Sequence, residues 1–490
     1  MPESVSLEAL GLLQPLWTHL SPGGKPIYSS PIGPVMARAH GARHRAVVLC
    51  GWDGHVSALR ADTGEALWRA RADAPCYGRC QAADVDGDGA VEIFAPGHDG
   101  LIRCLSDDGS LRWTFASLYG REASGRVSRA GPRSLTDDAK AWAANAFLRV
   151  QGRGHGALLR ITSGPGAGQA REVVANPGGS TLTVAEPWDV LPAAGDSYRV
   201  EPRWPSDRYY QHAGTLVHEP GGWFLYAGGF DNQLCKIDAR NGALVWQYAA
   251  LENIEPYPLV LAADGGVRVY SACVDGRTRC LDGATGALVW EVDTGPTDAF
   301  IAAADVNGDG RIELLVSSRD NRAYILDAHR GRVLGISEDI GADIDCAAMP
   351  VHMPGQGSHR IVAGCDAGKL WCIDGAGRTV WRQSLSTRPI NSSAVVHDVF
   401  GRGSPAVMIG DMEGSLHCVD VATGGVIGSL KLAGGIEGVP WYGDLDGDGR
   451  AELVVTTTAG EVRAWRFAHG GVWLAPWYPG RGQFEGCVSL

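Results

Sequence analysis

Three short acidic segments hold the residue types best suited to chemistry in this chain: Asp84-Val-Asp-Gly-Asp-Gly-Ala-Val-Glu92, Asp305-Val-Asn-Gly-Asp-Gly-Arg-Ile-Glu313 and Asp444-Leu-Asp-Gly-Asp-Gly-Arg-Ala-Glu452. Oxygen donors recur at loop positions 1, 3, 5 and 9: Asp84, Asp86, Asp88 and Glu92; Asp305, Asn307, Asp309 and Glu313; Asp444, Asp446, Asp448 and Glu452. Position 7, occupied by Ala90, Arg311 and Arg450, can offer its carbonyl, and a glycine after the second and third donors lets the backbone turn sharply. A hard cation that takes about six to eight oxygens fits this spacing, and no histidine or cysteine interrupts it. The expectation is three Ca²⁺ sites. The alternative is a solvated Asp-Gly turn.

The elements that position these loops form a repeat. Gly51-Trp-Asp-Gly-His-Val-Ser-Ala-Leu-Arg-Ala-Asp-Thr-Gly-Glu-Ala-Leu-Trp68 recurs as Cys273-Val-Asp-Gly-Arg-Thr-Arg-Cys-Leu-Asp-Gly-Ala-Thr-Gly-Ala-Leu-Val-Trp290, and again around Asp99, Asp231, Asp320, Asp366 and Asp411. A degenerate eighth copy ends at Trp465. Anchors Asp231, Asp275, Asp320, Asp366 and Asp411 are 44, 45, 46 and 45 residues apart, and Asp53 to Asp99 is 46. This is the period of a four-stranded propeller blade. Each copy reads as an apolar strand, an Asp-Gly turn, an alternating strand, a second turn and a strand closed by tryptophan. Trp68, Trp113, Trp246, Trp290 and Trp381 recur at one place and are expected to pack between blades. Closure of the ring is expected to use the Pro15–Leu20 strand and the C-terminal segment.

The stretch Asp282 to Trp290, with variants at Asp62–Trp68, Asp238–Trp246 and Asp374–Trp381, resembles the tryptophan-docking repeats of quinoprotein-like (PQQ-like) β-propellers. The acidic loops, each followed by an apolar strand, resemble FG-GAP and integrin-type calcium loops. Together the resemblances cover about 400 residues, roughly what eight blades need at this period. They imply an all-β chain: an eight-bladed propeller, with 1–116 as the N-terminal strand and two blades, 117–207 as a small inserted β-domain and 208–490 as the remaining blades and closure. The fold hosts dehydrogenases, lyases and scaffolds, so it leaves activity open.

In such a ring, ligands gather at the mouth of the central channel. Seven residues back from each acidic loop or its degenerate equivalent stand Tyr77, Gln211, Glu255, Asp298, Asp345, Asn391 and Glu437. This polar ring is the candidate binding site for a cation, an amine or a basic side chain; a water-filled polar channel is the plainer reading. The equivalents His352–Gln356 and Asp398–Arg402 have lost most of their donors, so calcium is optional blade by blade.

The formal charge of −12 is mostly local. The first and third loops carry four carboxylates each and the second three, or −11; Arg311 and Arg450 reduce this to −9, leaving −3 elsewhere. No general basic footprint points to nucleic acid. No apolar run approaches the roughly 18 residues of a membrane span, and the N-terminus has no basic and apolar leader regions. The expectation is a chain that is cytoplasmic, or released without a conventional signal peptide. Cys104, Cys280, Cys372 and Cys418 share one strand position and read as small buried hydrophobes. Cys76 and Cys80 lack a matching second pair for zinc. The terminal Cys487-Val-Ser-Leu490 fits the prenylation pattern without an upstream basic cluster.

Between Asp99 and Asp231 lie 132 residues where two blades need about 90. The excess, between Ser117 and Ser206, carries eleven basic and eight acidic residues. It reads as a β-module hung from a propeller turn, with strands over 158–162, 170–174 and 180–184 and a hairpin turn at Gly164–Gly168. Its stretch from Ile161 through Tyr198 resembles small β-domains of phage-tail and virion proteins. The segment with Arg121, Arg126, Arg129 and Arg133 reads as a solvated linker or a dock for an acidic partner.

Three functions compete. The first is a noncatalytic, calcium-stabilised scaffold for protein partners, within a phage-tail-like or other bacterial assembly, with the inserted module as a contact. The second is a PQQ-dependent dehydrogenase; against it stand the lack of an adjacent Cys-Cys pair and of a haem-attaching motif. The third is a calcium-dependent polysaccharide lyase or hydrolase, for which Tyr77, Arg79, His212 and Tyr257 are the available rim residues. The absence of a catalytic constellation favours the scaffold.

Overall fold

The computed structural model describes residues 5–148, 155–263, 266–355 and 359–469. Eight four-stranded antiparallel sheets form the blades of a propeller. Blades 1 to 7 are each one continuous stretch of chain, spanning 32–71, 81–116, 215–249, 259–293, 302–336, 349–384 and 395–431. Blade 8 takes its three inner strands from 441–467 and its outermost from Leu13–Leu20, which pairs antiparallel with Glu461–Phe467 from Leu13↔Phe467 to Leu20↔Glu461. The ring is therefore closed by hydrogen bonds between its two ends, which complete the four strands of blade 8. Cys487 lies outside the described residues.

The tryptophan repeat has a geometric cause. The Trp246 indole lies against Gly286 of the next blade, where an added Cβ would stand 2.7 Å from the ring; Trp68 meets Gly109, Trp113 meets Gly242, Trp290 meets Gly331 and Trp381 meets Gly424 in the same way. Each of these glycines also has positive φ, for example 72° at Gly286. The glycine of this turn, whether it follows Thr, Asp, Asn or Arg, thus supplies both a left-handed turn and a face without a side chain on which the preceding blade's indole rests. Trp17 of the N-terminal strand makes the same contact with Gly64 and donates Nε1–H to the Ala61 carbonyl at 2.7 Å. Cross-strand from Trp113, Trp290 and Trp381 stand Cys104, Cys280 and Cys372, and Ala58 faces Trp68. A small buried residue is what fits opposite an indole, and burial pushes these thiols up to about 12, so they stay protonated.

The insertion leaves from the connection between blades 2 and 3, not from a hairpin turn. It forms a seven-stranded sheet from Ser124–Arg126 to Ser197–Glu201, with strands over Leu158–Ile161, Ala170–Ala175 and Thr181–Val184 among them. Its core, centred on Trp142, Phe147, Leu159, Val173 and Tyr198, draws on no blade residue. The arginine segment is no free linker, since its strands belong to the module's sheet, and Arg126, Arg129 and Arg133 remain exposed. Arg121 is pinned to blade 3 through Gln247 Oε1 at 2.6 Å and stacks over Phe115, Arg126 donates to the Gly195 carbonyl, and Arg129 pairs with Asp138.

Candidate functional site

One backbone hydrogen bond, repeated in all eight blades, builds the channel mouth. In the turn between the second and third strands, the N–H of Trp52, His98, Phe230, Val274, Arg319, Asp366, Met412 or Thr458 donates to the carbonyl of Pro26, Pro75, Tyr209, Asn253, Pro296, Asp343, Pro389 or Gly435, respectively, at 2.8 to 3.2 Å. Each acceptor lies in the connection that enters the same blade's innermost strand. Two residues beyond each acceptor stand Tyr28, Tyr77, Gln211, Glu255, Asp298, Asp345, Asn391 and Glu437. These are the seven residues counted from the loops, plus Tyr28. Six of the seven, with Tyr28, line one cavity of about 120 Å³; Glu255 is not part of its wall. The register also shows that Asp366 and Asp411 sit one and two places earlier in their turns than Asp53 does.

The mouth has two unlike sectors. On the side of blades 1 to 3, near-parallel rings succeed one another: Tyr28 on Tyr77 (5.1 Å, 17°), Tyr77 on His98 (6.1 Å, 17°) and His98 on Tyr209 (4.3 Å, 7°). Trp52, 37% exposed, stands edge-on to Tyr28 and to His98, both at 5.3 Å. Burial lowers His98 to about 4 and His212 to about 3, so both imidazoles are neutral near pH 7. A second aromatic group joins Tyr257 to Phe300 at 4.0 Å, with His212 beside both. Reading the rim from sequence located Tyr77, His212 and Tyr257 but missed Tyr28, Trp52, His98, Tyr209 and Phe230. Those at the turn could have been found by aligning the residue after Gly51, Gly97 and Gly229.

Opposite lie the acids. Arg319 pairs with Asp298 and stands 3.6 Å from Asp345. Burial, aided by Asp298 and Asp366, pushes Asp345 up to about 7. Glu437 accepts a hydrogen bond from the Tyr77 hydroxyl, and burial alone raises it to about 7. Buried oxygens Asp298 Oδ1, Asp345 Oδ1 and Asn391 Oδ1 have no hydrogen-bond partner among the described residues.

The acidic loops lie at the other ends of the blades, between the first and second strands, because an antiparallel strand that starts at the mouth ends away from it. In all three loops the first aspartate accepts from two glycine amides, as Asp84 does from Gly87 (2.7 Å) and Gly89 (2.9 Å). The ninth-position glutamates, at most 1% exposed, accept from Val85, Val306 and Leu445. The carboxylates of Asp84, Asp86 and Glu92 gather within 4.8 Å, as do those of Asp444, Asp446 and Glu452. Arg112 bridges Asp86 and Glu92, and Arg466 bridges Asp446, Asp448 and Glu452. In the middle loop Asp305, Asn307, Asp309 and Glu313 have no such arginine among the described residues, and burial beside Asp309 and Asp305 holds Glu313 at about 7. The amides of Ala90, Arg311 and Arg450 are held by Asp88, Asp309 and Asp448.

Cys76 and Cys80 acquire a neighbour that sequence spacing does not show. Cys50 Sγ lies 2.8 Å from Cys80 Sγ, and its thiol, fully buried beside Cys76 and Cys80, is pushed well above its usual range. Such thiols pack as hydrophobes.

These features define an eight-bladed, tryptophan-docked propeller of the PQQ-like repeat class. A family model described as outer membrane protein assembly factor BamB matches residues 199–333 and 230–473, together more than half of the chain, and the chain belongs to that family. Residues 46–120 match a model of the lambda-carrageenase β-propeller domain. Lambda-carrageenases of Pseudoalteromonas sp and Pseudoalteromonas carrageenovora are 37% identical over 70 residues, 14% of this chain and 7% of theirs. Among solved structures, BamB from Moraxella catarrhalis superposes with a TM-score of 0.53 at 13% identity, over 93% of this chain and 100% of that one. Saccharomyces cerevisiae Sqt1 gives 0.56 at 8%, over 94% and 100%, and the computationally designed Ika8 protein gives 0.51 at 12%, over 93% and 100%. At these identities the likeness concerns the fold.

Proposed function

We propose that this protein is a noncatalytic, calcium-stabilised scaffold that holds protein partners in a bacterial assembly. The observation that carries the reading is the mouth itself: seven of the eight register-equivalent residues line a cavity of about 120 Å³, where small-molecule sites occupy roughly 300–1,000 Å³. A site of that size holds a side chain, not a cofactor, and its carboxylates weigh against PQQ, which is itself a tricarboxylate. Membership of a family described as an assembly factor supports the same reading. Calcium belongs to it as a structural ion, since the loops sit at blade ends remote from the mouth and bias no two-state element. The inserted module, with a core of its own, is a second presenting surface.

The test is crosslinking of the full chain in extract of its own cells, with Ca²⁺ and with a chelator. A saturable protein partner lost on chelation supports the scaffold. Turnover of alcohols or sugars with added PQQ overturns it.

A second reading has one observation behind it. The segment similar to lambda-carrageenase propellers contains Trp52, Tyr77 and His98 of the stacked rings, so carbohydrate processing is the alternative. Release of reducing or unsaturated ends from a polysaccharide panel would establish it.

A further inference from the structure

We infer that the mouth cavity receives the guanidinium of an arginine presented by a partner protein. The inference rests on the scaffold reading and names what the scaffold grips.

Four features converge on that group. The cavity, about 120 Å³, has room for one side-chain head. Three of its oxygens, Asp298 Oδ1, Asp345 Oδ1 and Asn391 Oδ1, are buried without a hydrogen-bond partner among the described residues. A buried acceptor left unmatched is costly, so the fitting ligand brings donors to these three oxygens. A guanidinium has five N–H donors in a plane and no acceptor, and it is more weakly hydrated than an ammonium.

The charges leave one position open. Three carboxylates, Asp298, Asp345 and Glu437, line the cavity together with one guanidinium, Arg79; Arg319 pairs with the first two from outside its wall. Arg319 is already shared between Asp298 and Asp345, while Glu437 lies across the cavity with a tyrosine hydroxyl as its partner. A cation beside Glu437, whose carboxyl burial raises to about 7, would draw it back to the ionised form. The wall there consists of Tyr28 stacked on Tyr77, with Phe300 also lining the cavity, and flat aromatic faces favour a planar cation.

The surroundings favour an arginine on a polypeptide over a free amine. Trp52 and the parallel rings of His98 and Tyr209 extend the aromatic surface outward from the cavity, where residues flanking the inserted arginine would lie. Both imidazoles near this surface are neutral and add no positive charge to it.

The experiment is a titration of the full-length, Ca²⁺-loaded protein with N-acetyl-arginine methylamide, followed by tryptophan fluorescence and calorimetry. N-acetyl-citrulline methylamide, which keeps the shape and loses the charge, and the neutral glycan cellohexaose are titrated in parallel. Saturable binding of the arginine probe is expected, at least tenfold tighter than the citrulline one. Glu437→Gln and Tyr28→Leu should each weaken it at least tenfold, with the protein still folded and Glu437→Gln melting no lower than the wild type. Should Glu437→Gln fail to fold, Asn391→Ala serves instead, with the same expected loss. Equal binding of arginine and citrulline, or no binding of either, overturns the proposal. So does binding of cellohexaose alone, which would make the aromatic sector a glycan platform. A partner that crosslinks equally to the wild type and to Glu437→Gln would leave the scaffold standing and remove arginine capture from it.

Discussion

Tyr28 stacks on Tyr77 at 5.1 Å and 17°, and the Tyr77 hydroxyl donates to Glu437. The three residues come from the connections into blades 1, 2 and 8, so this contact spans the junction where the N- and C-terminal parts of the ring meet. The closing strand and the mouth are thereby coupled. Tyr28 is held in place by the Trp52 N–H bond to Pro26 two residues earlier, and that segment follows directly on the strand that closes blade 8.

Glu437 should make the protein less stable as pH rises. Its carboxyl titrates near 4.5 when exposed and near 7 in the fold, because burial disfavours the charged form. Between these values the folded protein keeps a proton that the unfolded chain has lost. Stability is therefore lost as pH climbs through that window, and the full penalty is present above pH 7. Glu437→Gln escapes it and can still accept from Tyr77. The variant should melt near the wild type at pH 4.5 and several degrees above it at pH 8, a difference of about 2–3 kcal/mol. Melting curves at the two pH values check it. A mutant less stable at pH 8 would mean that the carboxylate is already matched by a cation.

The blade count, the closing strand, the tryptophan positions and most of the mouth were legible because the repeat carries its own ruler. A tight turn with a positive-φ glycine recurs wherever a tryptophan docks one blade on the next, and counting from the acidic loops then reaches the mouth. The ruler failed at blade 1. Its innermost strand, Ile32–Ala39, runs eight residues with a register shift between Ile32 and Val35 and turns at His40-Gly41 without an acidic loop, so no count leads back to Tyr28. The aromatic sector was hidden for a related reason. Its rings come from two positions per blade that are adjacent across the connection and far apart in sequence. The position of Arg121 depends on Gln247, 126 residues away, and no local pattern records such a contact.

Gly286→Ala should cost more than Gly341→Ala. Both glycines have positive φ, 72° and 79°, so both substitutions carry a left-handed penalty of about 1 kcal/mol. At Gly341 the added methyl meets nothing within 4 Å, whereas at Gly286 it would lie 2.7 Å from the Trp246 ring. Displacing a docked indole adds about 1–3 kcal/mol. Urea unfolding of the two variants measures the difference directly, and equal losses would remove the docking account of the Thr-Gly repeat.

Calcium should stabilise the chain, and Arg112 should oppose it at the first loop. The guanidinium pairs with Asp86 and Glu92, two of the carboxylates an ion would use, and must let go for the ion to enter. Arg112→Gln is expected to lower stability in chelator and to tighten calcium binding at that loop, while leaving the Asp305 loop unchanged. An ion at about 100 times its dissociation constant adds about 2.7 kcal/mol. Calorimetric titration with CaCl₂ should show one site altered by the mutation and the remainder untouched. Unchanged binding at every site would mean that the arginine is not in the ion's place.

Trp17→Ala should open the ring at its seam. The indole fills the contact with Gly64, donates to Ala61 at 2.7 Å and packs among Val47, Leu59 and Trp441, so it ties the strand that completes blade 8 to blade 1. Losing a buried tryptophan costs about 3–5 kcal/mol. The loss here falls on the one joint made between chain ends, where only hydrogen bonds and packing join Leu13–Leu20 to the other strands of blade 8. Hydrogen exchange should therefore rise first in Leu13–Leu20 and in its partner Glu461–Phe467. Blades 3 to 6, remote from the seam, should keep their protection, and the Tyr28–Tyr77 contact should loosen with the strand that precedes it. A uniform rise across all eight blades would show that the propeller unfolds as one unit, with no weaker point at its closure.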